Sequence, residues 1–417
     1  MLSLTQDQQG LLDGARGEAA ALAMRIVTGA AELLGAPRLI PVASAHIDGA
    51  LYHGDAGTLF CEKLRDLGAK TAIPATLNVG ALDLHCGTKT RLPPHERAMA
   101  KRLMLAHEQM GCKATWTCAP YQAGHRPALG TDVAWGESNA VVFCNSVLGA
   151  RTNRYGDYLD ICCAISGLAP YYGLHDKAKR VARVVLDCSG LAAGLRDADP
   201  FWPVLGTWYG REIGGEIGVI DGLQGFASED RLKALGAAMA STGAVALFHA
   251  AGVTPEAATV ELACGGETPK QIITLKRSDL EAALASLSTA TGNQVDAIAI
   301  GSPHLSIAEF RQLEALIAGR KLQLPFYACT GRHAILALEQ EGRRAGLEAA
   351  GVSIIADTCV VVTPILRDFA GVLMTNSGKF AHYAPGNTGY ATQYGSTRDC
   401  VESAVSGRLI RDLSLWQ

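Results

Sequence analysis

An α/β fold of several lobes, each a largely parallel sheet flanked by helices, is what this sequence predicts, and three observations carry that expectation. Short apolar runs alternate with helical patterns along most of the chain. Those runs empty into polar strings followed by helices, as parallel strands joined by crossovers require. With 417 residues, 48% hydrophobic composition and 46 glycines, the chain can bury more core than one lobe holds.

The first expected lobe, 1–175, opens with a helix over 7–34 rich in alanine and leucine. RLIPVA follows as a strand ending in the polar turn SAHIDG, which begins at Ser44 and carries His46. GDAGTLFCEKLRDLG has apolar residues three and four apart, so a helix should start after Gly54 and stop at Gly68. AKTAIPATLN reads as a strand whose polar end carries Thr76 and Asn78. PPHERAMAKRLMLAHEQMG has prolines at its start, helix formers inside and Gly111 at its close, and it leads into a third strand candidate, KATWTCAPY. The strand ends SAH, TLN and TCAPY should therefore share one sheet edge.

A middle lobe, 176–290, contains the strand VARVVLDCSG, a glycine-rich passage around Gly210 to Gly225, and a helix and strand in DRLKALGAAMASTGAVALFHAAG. The last lobe, 291–417, repeats the pattern: VDAIAIGSPH, QLPFYACTGR and VSIIADTC are strands separated by the helices SIAEFRQLEALIAG and HAILALEQEGRRAGLEAAG. GVLMT then empties into NSGKFAHY. Four strand ends, SPH, CTGR, DTC and TNSGK, should gather where open α/β sheets bind ligands.

Composition narrows the function. Lys and Arg total 37 against 40 Asp and Glu, with no basic run, so nucleic acid is not an expected partner. No apolar stretch reaches the roughly 18 residues of a membrane span, and MLSLTQDQQG lacks the regions of a signal peptide. The expected location is cytoplasmic. Twelve cysteines spread along a chain of this size suit metal binding or catalysis better than a disulfide framework, and most need only pack as small hydrophobes. Cys162 and Cys163, adjacent in YLDICCAISG, read as helix core.

Familiar motifs fail. In GVLMTNSGKF, Leu373 stands where a phosphate loop needs its first glycine and Phe380 where it needs a hydroxyl, and the glycines near Gly214 make no dinucleotide fingerprint. Without a Cys-x-x-Cys pair or a metal-spaced His pair, zinc has little support. What stands out is Cys118, Cys329 and Cys359, each where a strand-like run gives way to a polar loop. Three thiolates there could hold an iron–sulfur cluster and leave one iron open to substrate, the hardware of a hydro-lyase. Arg151, Thr152, Asn153 and Arg154 supply forked cations that can grip a carboxylate, near Trp135, Glu137, Ser138 and Asn139 of WGESN. Asn376, Ser377, Gly378 and Lys379 can hold an anion with backbone donors and a point charge.

TCAPY, AWGESNAVV, NSVLGARTNR, YGLH, LGAAMASTGAVALFH, ADTCVVV and TNSGKFAHY, in this order over nearly the whole chain, resemble the large catalytic subunit of the aconitase X family. The resemblance implies three aconitase-like α/β domains around an iron centre. The family's swivel domain is fused or supplied as a small separate subunit, and a chain stopping at Gln417 resembles the two-subunit form. It implies Cys118, Cys329 and Cys359 as iron ligands, with Cys144 in reserve, in a 2Fe-2S, 4Fe-4S or single-iron centre. It also implies a serine base on the partner. Ser44, His46 and Lys379 are the catalytic candidates; Thr76, Asn78, Ser138, Arg151, Thr152, Asn376 and Ser377 are the substrate contacts. Bacterial members look like cis-3-hydroxy-L-proline dehydratases and archaeal ones like mevalonate 5-phosphate dehydratases. A charged content of 18% and few clustered cations favour the former. The rivals are a cysteine-nucleophile acyl transferase, using Cys118 with His125 or Cys329 with His333, and a non-catalytic cluster scaffold.

Overall fold

The computed structural model describes residues 2–366 and 370–417. The chain forms two compact units, Met1–Leu82 with Leu92–Val181, and Asp83–Arg91 with Ala182–Gln417.

In the first unit a two-stranded antiparallel ribbon pairs β1 (Leu39–Pro41) with a later strand, β5 (Leu168–Pro170). A separate parallel sheet has the order β3-β2-β4, with β2 Ala45–Ile47, β3 Ala75–Leu77 and β4 Ala134–Trp135. Every residue of these three strands is buried, so the usual in-and-out alternation is absent. The register sets His46 opposite both Thr76 and Trp135. The helices Glu18–Leu33, Asp55–Asp66, Pro94–Gln109 and Leu159–Ser166 contribute apolar faces to the core around the sheet.

Three local expectations need correction here. The helix expected over 7–34 is two, Gln6–Leu12 and Glu18–Leu33, because Gly14 and Gly17 take φ of 94° and 90° between them. RLIPVA belongs to the antiparallel ribbon, and the strand of the parallel sheet is the AHI within the expected turn SAHIDG. KATWTCAPY is no strand: Lys113 makes a single bridge to Thr76, and Trp116 then swings to φ 43°, outside extended backbone. The third strand is instead the Ala134–Trp135 pair of AWGES.

Among the described residues the second unit has two sheets, parallel throughout. The smaller has the order β8-β7-β6-β9, formed by β6 Val184–Asp187, β7 Gly218–Asp221, β8 His249–Ala250 and β9 Gln271–Thr274. The larger comprises β10 Ala297–Leu305, β11 Phe326–Thr330, β12 Val352–Ile355, β13 Gly371–Thr375 and β14 Tyr390–Tyr394, in the order β12-β11-β10-β13-β14. Its direction of growth reverses between β10 and β13, the kind of switch point that opens a crevice at the carboxyl ends of the strands. The helix expected over HAILALEQEGRRAGLEAAG is broken at Gly342, φ 69°, into Arg332–Gln340 and Arg344–Ala350.

Glycine decides one packing contact. The helices Phe201–Glu212 and Glu229–Gly243 approach so closely that a Cβ on Gly206 would overlap the Leu235 carbonyl, and one on Gly210 the Thr242 hydroxyl. Gly206→Ala should therefore cost about 1–3 kcal/mol through overpacking, read as a lower urea midpoint. Gly194→Ala, where an added methyl meets nothing within 4 Å, should leave that midpoint unchanged or slightly raised.

Candidate active site

In the first unit the polar residues of the strands meet around one hydroxyl. Thr76 Oγ1 lies 2.8 Å from His46 Nδ1 and 2.7 Å from His125 Nδ1, while the Ala45 carbonyl is 3.4 Å away. Both imidazoles tilt against the Trp135 indole, with ring centroids at 5.6 Å and 5.1 Å. Burial, helped by the neighbouring His125, pushes the His46 pKa down to about 3; burial and the Lys113 charge push His125 down to about 4. Both rings are thus neutral at pH 7. The Nε2 atom of each is buried without a hydrogen bond.

The carboxyl edge of the same sheet is built by Glu137 and Asn139. Glu137 caps the helix Ser138–Phe143, its Oε2 accepting from Ala140 N at 2.6 Å and its Oε1 from the Ser138 hydroxyl at 3.0 Å. Asn139 Nδ2 donates to the Cys118 carbonyl at 3.1 Å and to Tyr121 Oη at 3.0 Å, which fixes the TCAPY loop, and leaves Asn139 Oδ1 buried without a partner. At the end of β3, Asn78 Nδ2 donates to Asp48 Oδ1 at 2.5 Å and Asn78 Oδ1 is likewise unmatched. Asp160 accepts from the backbone of Asp48 and Gly49, and burial lifts its pKa to about 7. Gly136 has to be glycine, because a Cβ there would crowd Asp48, Asp160 and the Tyr155 carbonyl at 2.9–3.0 Å.

Other candidates of this unit are placed differently. Ser44 precedes β2, at the amino end of the strand and so away from the Asn78 end; its hydroxyl is buried and unmatched. Thr152 Oγ1 accepts from Trp135 N at 3.0 Å and donates to the Asn153 carbonyl at 2.8 Å, which ties it to β4. Arg151 bridges to Asp132 through the backbone and keeps its Nε buried without a hydrogen bond. Cys144 opens a π-helical turn, Cys144–Leu148, fully buried with its thiol pKa pushed up by burial.

In the second unit, SPH, CTGR, DTC and TNSGK stand at or just beyond the carboxyl ends of β10, β11, β12 and β13. Cys329 lies within β11 and Cys359 in the loop after the adjacent β12; both are buried in one apolar cluster with Ile355, Leu373 and Phe380. The loop is pinned by the buried Asp357, whose carboxylate takes Arg332 through two hydrogen bonds of 2.7 and 2.8 Å and also Leu84 N at 3.2 Å. Ser377 caps the helix Gly378–Thr388, accepting from Phe380 N at 3.0 Å, and its hydroxyl donates to the Ser302 carbonyl across the β10–β13 switch point. Asn376 Nδ2 donates to Thr397 Oγ1 at 3.0 Å. Lys379 lies close enough to His304 to help lower its pKa, which burial chiefly holds down to about 3. Beneath them Lys233, 1% exposed, is held by Asp230, Glu309 and the His304 carbonyl. A cleft of about 180 Å³ opens beside Asn376, lined also by Asp230, Arg231 and Glu309.

No disulfide links any of the twelve cysteines. Among the described residues no three His, Cys, Asp or Glu side chains already stand as a group that could hold a metal ion. The case for iron therefore rests on donor chemistry, three thiols buried to 7% exposure or less at strand-end loops, a ligand type that suits iron–sulfur chemistry. A nucleophilic Cys118–His125 pair is not formed, since His125 Nδ1 is on Thr76 and its Nε2 bonds nothing. His125, Asn139 and Asp48 were not singled out as binding residues from sequence. The signal available for His125 was its place seven residues after Cys118, in the same loop.

Comparison with known proteins places this geometry in a family. Residues 1–178, 182–285 and 295–406 match the first, second and third domains of aconitase X. The cis-3-hydroxy-L-proline dehydratase of Pseudomonas aeruginosa is 42% identical over 98% of this chain and 71% of its own length. Its namesake from Hypocrea jecorina is 40% identical over 97% and 69%. The phosphomevalonate dehydratase large subunit of Methanosarcina mazei is 35% identical over 97% and 98%. The crystal structure of holo aconitase X from Thermococcus kodakaraensis superposes with a TM-score of 0.86 at 31% identity, covering 97% of this chain and all of that one. No helix is long and apolar enough to cross a membrane among the described residues. Matching segments along almost all its length, and relatives above 30% identity that are named dehydratases, establish that the chain is a hydro-lyase belonging to the aconitase X family.

Proposed function

We propose that this chain is the large subunit of an iron-dependent enzyme that dehydrates cis-3-hydroxy-L-proline to Δ1-pyrroline-2-carboxylate. The observation that carries the substrate is the 42% and 40% identity to two dehydratases of that name, against 35% for the phosphomevalonate enzyme of Methanosarcina mazei. A small swivel subunit carrying a serine base completes the proposed enzyme, in keeping with relatives named large subunits. The three-lobe division at 1–175, 176–290 and 291–417 is part of the same proposal and agrees in outline with the three matched segments. A cytoplasmic location goes with it.

Cys118, Cys329 and Cys359 are the proposed ligands of an iron–sulfur cluster or iron ion, with Cys144 too deep in its π-turn to be preferred. Iron held there would supply a Lewis acid for the departing hydroxyl. The rest falls to side chains of this protein. Arg151 and Lys379 meet the substrate carboxylate and stabilise charge that develops on it as the α-proton leaves. Asn78, Ser138 and Asn376 orient the ring, His46 faces the hydroxyl, and Ser44 lines the far side. Thr152 and Ser377, whose hydroxyls already bridge backbone groups, hold the loops that carry Arg151 and Lys379.

Three measurements test this reading. The co-expressed pair, assayed anaerobically with cis-3-hydroxy-L-proline and mevalonate 5-phosphate side by side, should turn over the former; turnover of the phosphate alone would reverse the assignment. Arg151→Ala and Lys379→Ala should each lower kcat/KM by about 10- to 100-fold, as loss of a charged hydrogen bond predicts, with iron content unchanged. In Cys329→Ser, iron content itself should fall while the circular dichroism spectrum stays that of wild type.

A further inference from the structure

Residues Asp83–Arg91 interrupt the sequence of the first unit yet pack as part of the second. This short strap is attached at both ends to the segment that carries Cys359. At one end Asp83 Oδ2 accepts from Ala356 N at 3.2 Å, and Leu84 N donates to Asp357 Oδ2 at 3.2 Å. At the other, Arg91 N donates to the Pro364 carbonyl at 2.7 Å. Cys359 stands between those anchors.

The first attachment is made on a strained turn. Thr358 N donates to the Ala356 carbonyl at 2.7 Å around Asp357, whose φ is 63°. A three-residue turn closed in this way about a positive φ is rare, and it persists only where its surroundings over-determine it. Asp357 is fully buried, and its carboxylate takes both arms of Arg332, at 2.7 and 2.8 Å, besides Leu84 N. Arg332 opens the helix that follows Cys329, so this one ion pair ties together the two cysteine-bearing loops. Beyond the turn, Val362 N and Thr363 N both donate to the Cys359 carbonyl, and the Thr358 and Thr363 hydroxyls meet at 2.7 Å.

Asp83 joins the strap to the turn. Its carboxylate, 6% exposed, meets five donors. Oδ1 accepts from the amides of His85, Cys86 and Gly87 at 3.1, 2.6 and 3.3 Å; Oδ2 accepts from the Thr88 hydroxyl at 2.6 Å and from Ala356 N. One oxygen therefore shapes the strap and the other fastens it to the Cys359 segment. We infer that Asp83 is a positioning residue for Cys359: through Ala356 and Asp357 it sets that thiol relative to Cys329, in place to take iron. This rests on the reading of Cys359 as an iron ligand.

Asp83→Asn separates the two duties of the carboxylate. Its one acceptor oxygen is claimed by the three strap amides, the orientation that opposes fewest donors, which puts the amide nitrogen where Oδ2 was. The Thr88 hydroxyl can turn to accept from that nitrogen, whereas the Ala356 N–H then faces another donor. The co-expressed complex is loaded anaerobically with iron and sulfide, and release of iron to excess chelator is followed by absorbance. Asp83→Asn should release iron at least about tenfold faster than wild type, the lower end of what groups orienting metal ligands contribute to metal affinity. Its visible thiolate–iron absorption band should also shift. Thr88→Val, which removes the other partner of the same oxygen, should release iron within about threefold of wild type. An unshifted band, release from Asp83→Asn within about threefold of wild type, or equal acceleration in Thr88→Val would each overturn the inference. If the asparagine variant folds poorly, Asp83→Ser decides under the same expectations, since its hydroxyl can cap the strap amides but is too short to reach Ala356 as well. Cys359→Ser that keeps iron as wild type does would sink the ligand reading instead, whereas iron lost from Cys359→Ser and kept by Asp83→Asn would sink the positioning role alone.

Discussion

A polar group buried at the end of a parallel strand has lost its water and must find a partner in the protein, at a cost of about 1–3 kcal/mol if it does not. Most of this structure is arranged around that requirement. The buried carboxylate of Asp357 is met by both arms of Arg332 and by Leu84 N. Asp83 folds its own turn by accepting from His85, Cys86 and Gly87, and reaches Ala356 N. The Lys233 ammonium is surrounded by Asp230, Glu309 and the His304 carbonyl; burial alone would lower its pKa, but the two carboxylates outweigh it and hold it raised. Against that background one group of unmatched atoms is conspicuous: Ser44 Oγ, His46 Nε2, Asn78 Oδ1, His125 Nε2, Trp135 Nε1 and Asn139 Oδ1 cluster in the three-stranded sheet of the first unit or the segments beside it, whereas those of the second unit, such as Arg196 Nε, His333 Nδ1 and Arg411 Nε, are scattered along its sequence.

The same requirement explains why short strands suffice there. Three fully buried strands of two or three residues cannot be stabilised by length. They are held by side-chain bonds running across them, from Thr152 to Trp135 N, from Thr115 to Leu77, and through the Thr76 hydroxyl to two imidazoles. The same hydroxyl of Thr76 ties β2, through His46, to the segment after the TCAPY loop, through His125. In the second unit longer strands do the holding, and the switch-point residues Ser302 and Ser377 are free to shape loops.

Legibility followed strand length. The C-terminal strands, with runs such as AIAI, VSII and GVLMT followed by helices with clear caps, could be read nearly to the residue, and their four polar ends do share one edge. In the first unit, AHI reads as a turn because a three-residue strand containing a histidine shows neither periodicity nor β-branched enrichment. KATWTCAPY reads as a strand because nothing in its composition shows that Trp116 takes a positive φ. Gly342 in the middle of a helical pattern, and the glycine pair before Glu18, were visible breakers that the surrounding alanine and leucine outweighed.

What the amino-acid sequence determined by itself was the parallel α/β class, the family, and the set of strand-end loops rich in thiols, amides and cations, because these depend on local patterns and on long matched strings. Only the tertiary structure decided which of those groups are spent on holding backbone and which keep an unused valence. Thr152 is the same letter as Thr76, and Ser377 carries the same hydroxyl, yet those two close onto carbonyls while Thr76 stands between two histidines from segments 30 and 49 residues away. Hydrogen-bond capacity is a property of a residue type; whether it is already used depends on neighbours that only the folded chain brings within 3 Å.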